Sequence, residues 1–566
     1  MMKRWKLKPQ DRDLQEILCK ELDILPVTAQ LLVNRGLVER DKASSFLRPD
    51  LSLLHDPFSM KEMDRAVERV LKAICAGEKI AIWGDYDVDG TTATALLHTF
   101  FKEIGVDAVC YIPDRRKEGY GLNIEAIKGL GASGVTLVVT VDCGSSDSEQ
   151  IAFAASIGME FIVTDHHEMK AGRPSAYALL NPKQEGCGYP FKGLAGVGVA
   201  FCFARGMRTR MRDAGMLKDN GPNLKRHLDL VAIGTVADMV PLVDENRVIV
   251  SYGLKELDKT VKPGLRALME VCGIRQGKVD SSSVAFQLAP RINAAGRLAH
   301  ASAALKLMVT DDESEARRLA RDLDSENIAR QTLEAQTLEK ALAMLEGVSL
   351  DRGIVLFSEE WHPGVIGIVA SRLVERFARP VVMIAIDGGV GKGSARGIRS
   401  FDILSGLIRC SGLLERFGGH KAAAGLTVRK DNLAAFKDEF IRYINGVLTD
   451  EDLAHEIDLD AEVSLTDVDA RLISEIEGFA PFGVSNREPL LCLTGAHIGS
   501  TEIVGAKHLK FTVKQDGLTR SAIGFGLAGM HPMNGAGFSI AFSPYMDEWQ
   551  GSRFLKLRIK DVRPGA

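Results

Sequence analysis

The chain has 566 residues, 46% hydrophobic and 26% charged, with a net charge of −4, the balance of an ordinary globular protein long enough for three or four domains. No overall basic field advertises a polyanionic partner, so contacts to one would have to come from a local groove. Nine cysteines stand singly, with no C-x-x-C pair, which argues against a disulfide framework or a structural zinc site and for a reducing cytoplasm.

Residues 1–56 read as a helical lead-in. The start, Met1-Met2-Lys3-Arg4-Trp5-Lys6, is basic with no apolar stretch behind it, and no apolar run approaches spanning length; no membrane association and a cytoplasmic location are expected. Residues 57–310 form a first α/β domain. Strand-like runs at 79–83, 108–112, 136–141 and 160–164 alternate with helical stretches, the pattern of parallel βαβ units. A mostly helical stretch follows from 197 towards 301.

Residues 311–347 are charged and free of Gly and Pro until Gly347, with Leu319, Leu323, Ile328, Leu333, Leu338, Leu342 and Leu345 at helical spacing; they predict one long connecting helix. A second α/β domain is expected over 348–453, with strands at 353–357 and 380–386 and helices at 364–376 and 401–409. From 454 to 566, strand-like runs at 496–504, 509–513, 521–525, 538–542 and 554–559 with Gly-rich turns predict a small OB-like β-barrel. The expected fold class is α/β: a parallel-sheet domain, a long connecting helix, a second α/β domain and a C-terminal barrel.

Chemistry concentrates where the strand-like runs stop. The first ends at Gly84-Asp85-Tyr86-Asp87-Val88-Asp89-Gly90, the third at Asp142-Cys143-Gly144 and the fourth at Asp165-His166-His167-Glu168. Three runs ending on carboxylates or imidazoles place them at one edge of a parallel sheet, where open α/β folds bind ligands. Carboxylates so close together need a positive partner. An EF-hand loop fails, because its twelfth position is Leu96 and a strand precedes the cluster. Taken singly, Asp142 reads as a helix N-cap and His166-His167 as a surface turn, but such readings do not explain the shared edge. Asp238, set among apolar neighbours in Gly234-Thr235-Val236-Ala237-Asp238, adds a further acid. Several carboxylates with one or two histidines and no cysteine suit Mn²⁺ or Mg²⁺.

The motifs DYDVDG, VDCG, DHH and GTVADMVPL resemble the DHH phosphoesterase superfamily. Arg291-Ile292-Asn293-Ala294-Ala295-Gly296-Arg297, Trp361-His362-Pro363-Gly364 and Gly418-Gly419-His420 narrow the resemblance to RecJ-type single-strand-specific exonucleases, over nearly the whole chain. It implies a DHH catalytic domain and a DHHA1-like second domain. It also implies Asp87 on one metal, Asp89 on the other and Asp142 bridging, with His166 and Asp238 completing the second metal's shell. Asp85 and His167 would stand beside the pair as catalytic residues, positioning water or the scissile phosphate.

Phosphate ligands implied by the resemblance are Arg115, Arg297, the Ser394 and Arg396 of Gly393-Ser394-Ala395-Arg396-Gly397, and Gly418, Gly419 and His420. The segment 393–397 approximates the family's G-S-x-R-S, departing at Gly397. In the barrel, Lys507, His508, Lys510 and Phe511 suit either backbone tracking with base stacking or an ordinary basic strand. The implied activity is two-metal, Mn²⁺- or Mg²⁺-dependent 5′→3′ degradation of single-stranded DNA to 5′-mononucleotides in repair and recombination. A single-stranded-DNA-binding protein and a RecQ-type helicase are the implied partners. The rivals are a DHH phosphodiesterase of cyclic dinucleotides or short oligonucleotides, disfavoured by length and barrel, and a non-catalytic replication scaffold, disfavoured by the complete ligand set.

Overall fold

A computed structural model describes residues 3–114, 118–169, 172–219, 221–298, 302–549 and 551–565. The chain forms two compact units, Leu7–Leu323 with Asp458–Ala566, and Met1–Lys6 with Asp324–Ile457. The lead-in opens with a strand, β1 (Arg4–Leu7), before its helices Arg12–Leu22, Pro26–Val33 and Arg40–Leu47.

In the larger unit, β2 (Lys79–Gly84), β3 (Val109–Tyr111), β4 (Val135–Val141), β5 (Glu160–Thr164) and β6 (Ala178–Leu180) make an all-parallel sheet in the order β3-β2-β4-β5-β6. Both faces are covered, which is why β4 places apolar residues on both sides at Leu137-Val138-Val139 rather than alternating. Ile80, Ile82, Leu137 and Val139 join one core with Leu96, Phe100, Val199 and Phe203. Ala81, Trp83 and Val138 join the other with Ile127 and Ile151. Sequence reading missed β6, three residues too short to stand out.

Register does the positioning. Gly84 pairs with Val141, Val141 with Thr164, and Thr164 with Leu180. The residues that follow, Asp85, Asp142, Asp165 and Asn181, therefore emerge in one row at the carboxyl edge. The ladder carries one step further: the Asp142 and Asp165 amides donate to the Thr164 and Leu180 carbonyls, each at 3.0 Å.

The predicted connecting helix is Glu313–Ala343. In the smaller unit, β7 (Ile354–Ser358) and β8 (Val381–Asp387) run parallel, and β9 (Val390–Arg396), β10 (Leu414–Gly419) and β11 (Ala423–Arg429) extend the sheet antiparallel in the order β10-β11-β9-β8-β7. After β12 (Glu456–Leu459) and β13 (Ala461–Glu462) come the barrel strands β14 (Leu491–Val504), β15 (His508–Gln515), β16 (Leu518–Gly524), β17 (Gly535–Trp549) and β18 (Ser552–Pro564). Their order β14-β15-β16-β18-β17 closes through β14–β17 pairing, the five-stranded closure of an OB barrel.

Leu18, Leu31, Leu32 and Phe46 of the lead-in share one core with Leu493, Phe511 and Phe542 of the barrel. This corrects one sequence expectation: Phe511 is 2% exposed and packs the barrel, so it cannot stack on a base. Phe525, 56% exposed and 5.1 Å from the His508 ring, is the aromatic that faces out there. No helix among the described residues is long and apolar enough to cross a membrane.

Candidate metal centre

The helix Val88–Glu103 begins inside the acidic motif, not after it. Asp87 is its N-cap, accepting from the Gly90 amide at 3.1 Å, and Asp89 lies in its first turn. Asp89 is held by a second helix: its carboxylate accepts from the Gly196 and Val197 amides at 2.6 and 2.9 Å, where the helix Gly196–Asp213 starts and its dipole favours negative charge. Asp142 caps no helix; Asp147 precedes Ser148–Ser156 instead. Asp142 adopts φ 61°, a left-handed conformation that Asp tolerates better than most residues. Asp238 is the C-cap of the helix Leu228–Ala237.

Three groups of donor atoms each lie within 4.8 Å of one another: Asp85, Asp87 and Asp142; Asp89, His166 and Asp238; and Asp142, His166 and His167. Asp142 belongs to the first and third, and its Oδ1 is 3.1 Å from His166 Nε2. The row of strand ends thus resolves into two pockets that adjoin at Asp142. All five expected metal ligands and both expected catalytic residues come together. Asp85, expected beside the ligands, stands in an oxygen triad with Asp87 and Asp142.

Electrostatics argue that this set awaits cations. Burial, reinforced by the charge of Asp87, raises Asp89 to about 7. Burial and the charges of Asp89 and Asp87 raise Asp238 to about 9, and Asp142 is pushed well above the carboxylate range for like reasons. Asp142 Oδ1, His166 Nε2 and Asp238 Oδ2 are buried with no hydrogen-bond partner among the described residues, a cost of roughly 1–3 kcal/mol each unless something accepts their lone pairs. Burial and the neighbouring His167 hold His166 down at about 4, so it offers a neutral nitrogen. Hard oxygens plus one neutral imidazole fit Mn²⁺ or Mg²⁺.

His167 behaves oppositely. Burial resists its charge, but a 2.8 Å hydrogen bond to Asp165 and that group's charge raise it to about 9. Asp165 is the organising residue that sequence reading named without giving it a role. One of its oxygens accepts from the His166 and His167 amides at 2.7 and 3.1 Å, the other from the Ser145 amide at 2.9 Å. Burial is outweighed by the His167 side-chain bond, the His167 and His166 charges and the Ser145 amide, which together depress its pKa. Asn181 next in the row donates to the His167 carbonyl at 2.9 Å, and the Tyr120 hydroxyl reaches His167 Nδ1 at 3.2 Å.

Glycines leave the room. A Cβ on Gly196 would sit 2.6 Å from the Asp142 side chain, and one on Gly234 would meet Asp89 Oδ1 at 2.9 Å. The Gly234 of the apolar motif was visible in the sequence; Gly196 carried no signal, because its neighbour is distant in the chain.

Of the expected phosphate ligands, Arg115 lies outside the described residues. Arg297 falls in the helix Ala289–Leu298, its side chain likewise outside them. Ser394 and Arg396 are on β9, and pairing sets Ser394 opposite Gly425 and Gly425 opposite Gly418, a cross-strand row with little side chain. Gly419 ends β10, and His420 turns the chain into β11, its amide bonded to the Ala423 carbonyl at 2.9 Å.

A doubly covered parallel sheet with two acidic pockets at its carboxyl edge defines a two-cation site of the DHH phosphoesterase class. Residues 79–235 match the DHH family N-terminal domain, 351–446 the DHHA1 domain and 459–561 the RecJ OB domain. The chain is 37% identical over 99% of its length, and 70% of the relative's, to the single-stranded-DNA-specific exonuclease RecJ of Bacillus subtilis. Crystal structures of RecJ from Thermus thermophilus in complex with Mn²⁺ and with Mg²⁺ superpose with TM-scores of 0.85 and 0.80, each at 30% identity. The superpositions cover 99% of this chain and 79% and 78% of those chains. The chain belongs to the RecJ family.

Proposed function

We propose that this chain is a Mn²⁺- or Mg²⁺-dependent exonuclease that degrades single-stranded DNA from the 5′ end to 5′-mononucleotides, in cytoplasmic DNA repair and recombination. The observation that carries the chemistry is the pair of donor sets adjoining at Asp142. Asp85, Asp87 and Asp142 would hold one cation; Asp89, His166, Asp238 and Asp142 the other. Cations held by these residues would supply a nucleophilic water at neutral pH and stabilise the charge on the oxygens of an in-line displacement. Asp142 serves both pockets, so the spacing between them rests on a single side chain. His167, whose 2.8 Å bond to Asp165 favours its protonated form, would offer positive charge, and a proton, to the phosphate or to the departing 3′-oxygen. The Asp165 carboxylate fixes which face of that ring is presented.

Family membership supports the polarity and the single-strand preference, and docking of a single-stranded-DNA-binding protein and a RecQ-type helicase is proposed on the resemblance alone. Time courses on 5′- and 3′-labelled single strands and on blunt duplex, in chelator and with each cation restored, test the reading. Immediate release of label as mononucleotide from the 5′ end alone is expected. Equal release from 3′ ends, or undiminished cleavage in chelator, would sink it.

A further inference from the structure

The smaller unit holds a cation whose neighbours are neutral. Arg396 on β9 is half-buried; its Nε donates to Ser371 Oγ at 3.2 Å, and its Nη1 donates to Ser394 Oγ and the Ala395 carbonyl, both at 2.9 Å. Among the described residues, no carboxylate lies within ion-pairing distance and Nη2 makes no hydrogen bond. Burial accordingly lowers its pKa with no opposing charge to restore it. A guanidinium in such surroundings ordinarily forks onto a carboxylate or a phosphate. Here the Nη2 edge of the fork awaits an anion from outside the chain.

Two residues of one helix fix that edge. Ser371 lies in the second turn of the helix Ile366–Phe377, and its hydroxyl donates to the Gly367 carbonyl at 3.2 Å. With its proton spent there, the hydroxyl turns a lone pair towards Arg396 Nε. Gly367, one turn earlier on the same face, keeps the space beside Nη2 clear. A Cβ at Gly367 would lie 2.8 Å from Arg396 Nη2 and 2.8 Å from Ser394 Oγ.

We propose that Ser371 is a positioning residue for substrate recognition: its hydroxyl anchors Arg396 Nε, so that Nη2 is presented beside Gly367 to a phosphate of the single strand. The proposal rests on the reading of Arg396 as a phosphate contact, and its test separates the two. Removing one hydrogen bond to a charged group corresponds to about tenfold in affinity. Ser371→Ala should therefore raise KM about tenfold with kcat within about twofold, and Ser371→Thr, which keeps the hydroxyl, should restore it. In an Arg396→Ala background, Ser371→Ala should add nothing, since coupled residues are non-additive.

Strands with 5′-phosphate and 5′-hydroxyl ends identify the phosphate. A penalty confined to the first assigns a terminal phosphate and an equal penalty an internal linkage; either supports the proposal. If Arg396→Ala raises KM while Ser371→Ala does not, or if Ser371→Ala costs as much without Arg396 as with it, the positioning role is overturned and the Arg396 reading stands. If Arg396→Ala leaves KM unchanged, both are overturned. Thermal unfolding accompanies each variant. Should Ser371→Ala lose its fold, Gly367→Ala crowds Nη2 while sparing the hydroxyl, and an unchanged KM there overturns the proposal equally.

Discussion

Asp142 combines three demands that few residues meet at once: left-handed backbone at φ 61°, nearly complete burial, and a carboxylate within reach of both pockets. Asp142→Ala should abolish cleavage by at least about 10³-fold, and elemental analysis should find both cations depleted, since one side chain serves both. Near wild-type turnover would contradict the shared-ligand arrangement. Gly196→Ala replaces no ligand and keeps the amide that Asp89 accepts from, yet its methyl would lie 2.6 Å from Asp142. We expect kcat to fall by about 10²-fold, the scale for a displacement of about 1 Å at a reacting centre, with the unfolding temperature little changed. The donors themselves were legible in the sequence because carboxylates and imidazoles in D-x-D-x-D and D-H-H admit few chemistries. The residues that orient them were not. Asp165 acts through backbone amides that only the folded turn brings together, and Gly196 matters because of a side chain more than fifty positions away.

At the scale of elements, the register of three strand ends gathers the acids, and the start of the helix Gly196–Asp213 compensates one of them. The metal-free fold therefore holds carboxylates above their ordinary value near 3.8: Asp89 at about 7 and Asp238 at about 9. Folded-state values raised above unfolded ones mean that protons favour the folded chain. That contribution is complete below about pH 4 and is lost as pH rises through about 7 and then about 9. In chelator, the unfolding temperature should fall between pH 6 and pH 9. Saturating Mg²⁺ binds the ionised carboxylates, so the stabilisation it confers should grow over the same interval. Differential scanning fluorimetry checks both trends, and a Mg²⁺ increment independent of pH would contradict the link between these carboxylates and the cation. Four of the five strands of the first sheet were readable because burial on both faces favours mostly apolar runs, whereas three-residue β6 was too short to show one. Those at 390–396 and 414–419 were not, because Val390-Gly391-Lys392-Gly393 and Phe417-Gly418-Gly419 carry glycines that weaken a strand pattern.

Across the whole molecule, the lead-in and the barrel are one hydrophobic body. Leu31, Leu32 and Phe46 are buried with barrel residues, and Arg247, 2% exposed, ties the catalytic domain to them by donating to the Phe46, Gly478 and Phe479 carbonyls at 2.6–2.8 Å. The sequence marked a barrel by its strand spacing but could not announce this union, because its contacts join positions more than four hundred residues apart. Deleting the segment after 454 would uncover the lead-in, so the barrel's part in substrate binding is better tested by single side chains. Lys507 and Lys510 are exposed, and Phe525 stands out beside His508. Combined Lys507→Gln and Lys510→Gln should weaken binding of long single strands in chelator and flatten log K against log salt by about 0.7 for each phosphate no longer neutralised. Phe525→Ala should cost about 1–3 kcal/mol of the same binding while leaving that slope unchanged, since stacking releases no counterions. Phe511→Ala, by contrast, removes a core ring and should lower stability by about 3–5 kcal/mol. Cleavage of very short oligonucleotides should survive the Gln and Phe525 variants. If short and long substrates lost binding equally in well-folded variants, the barrel would be architecture for the catalytic domain rather than a track for the strand.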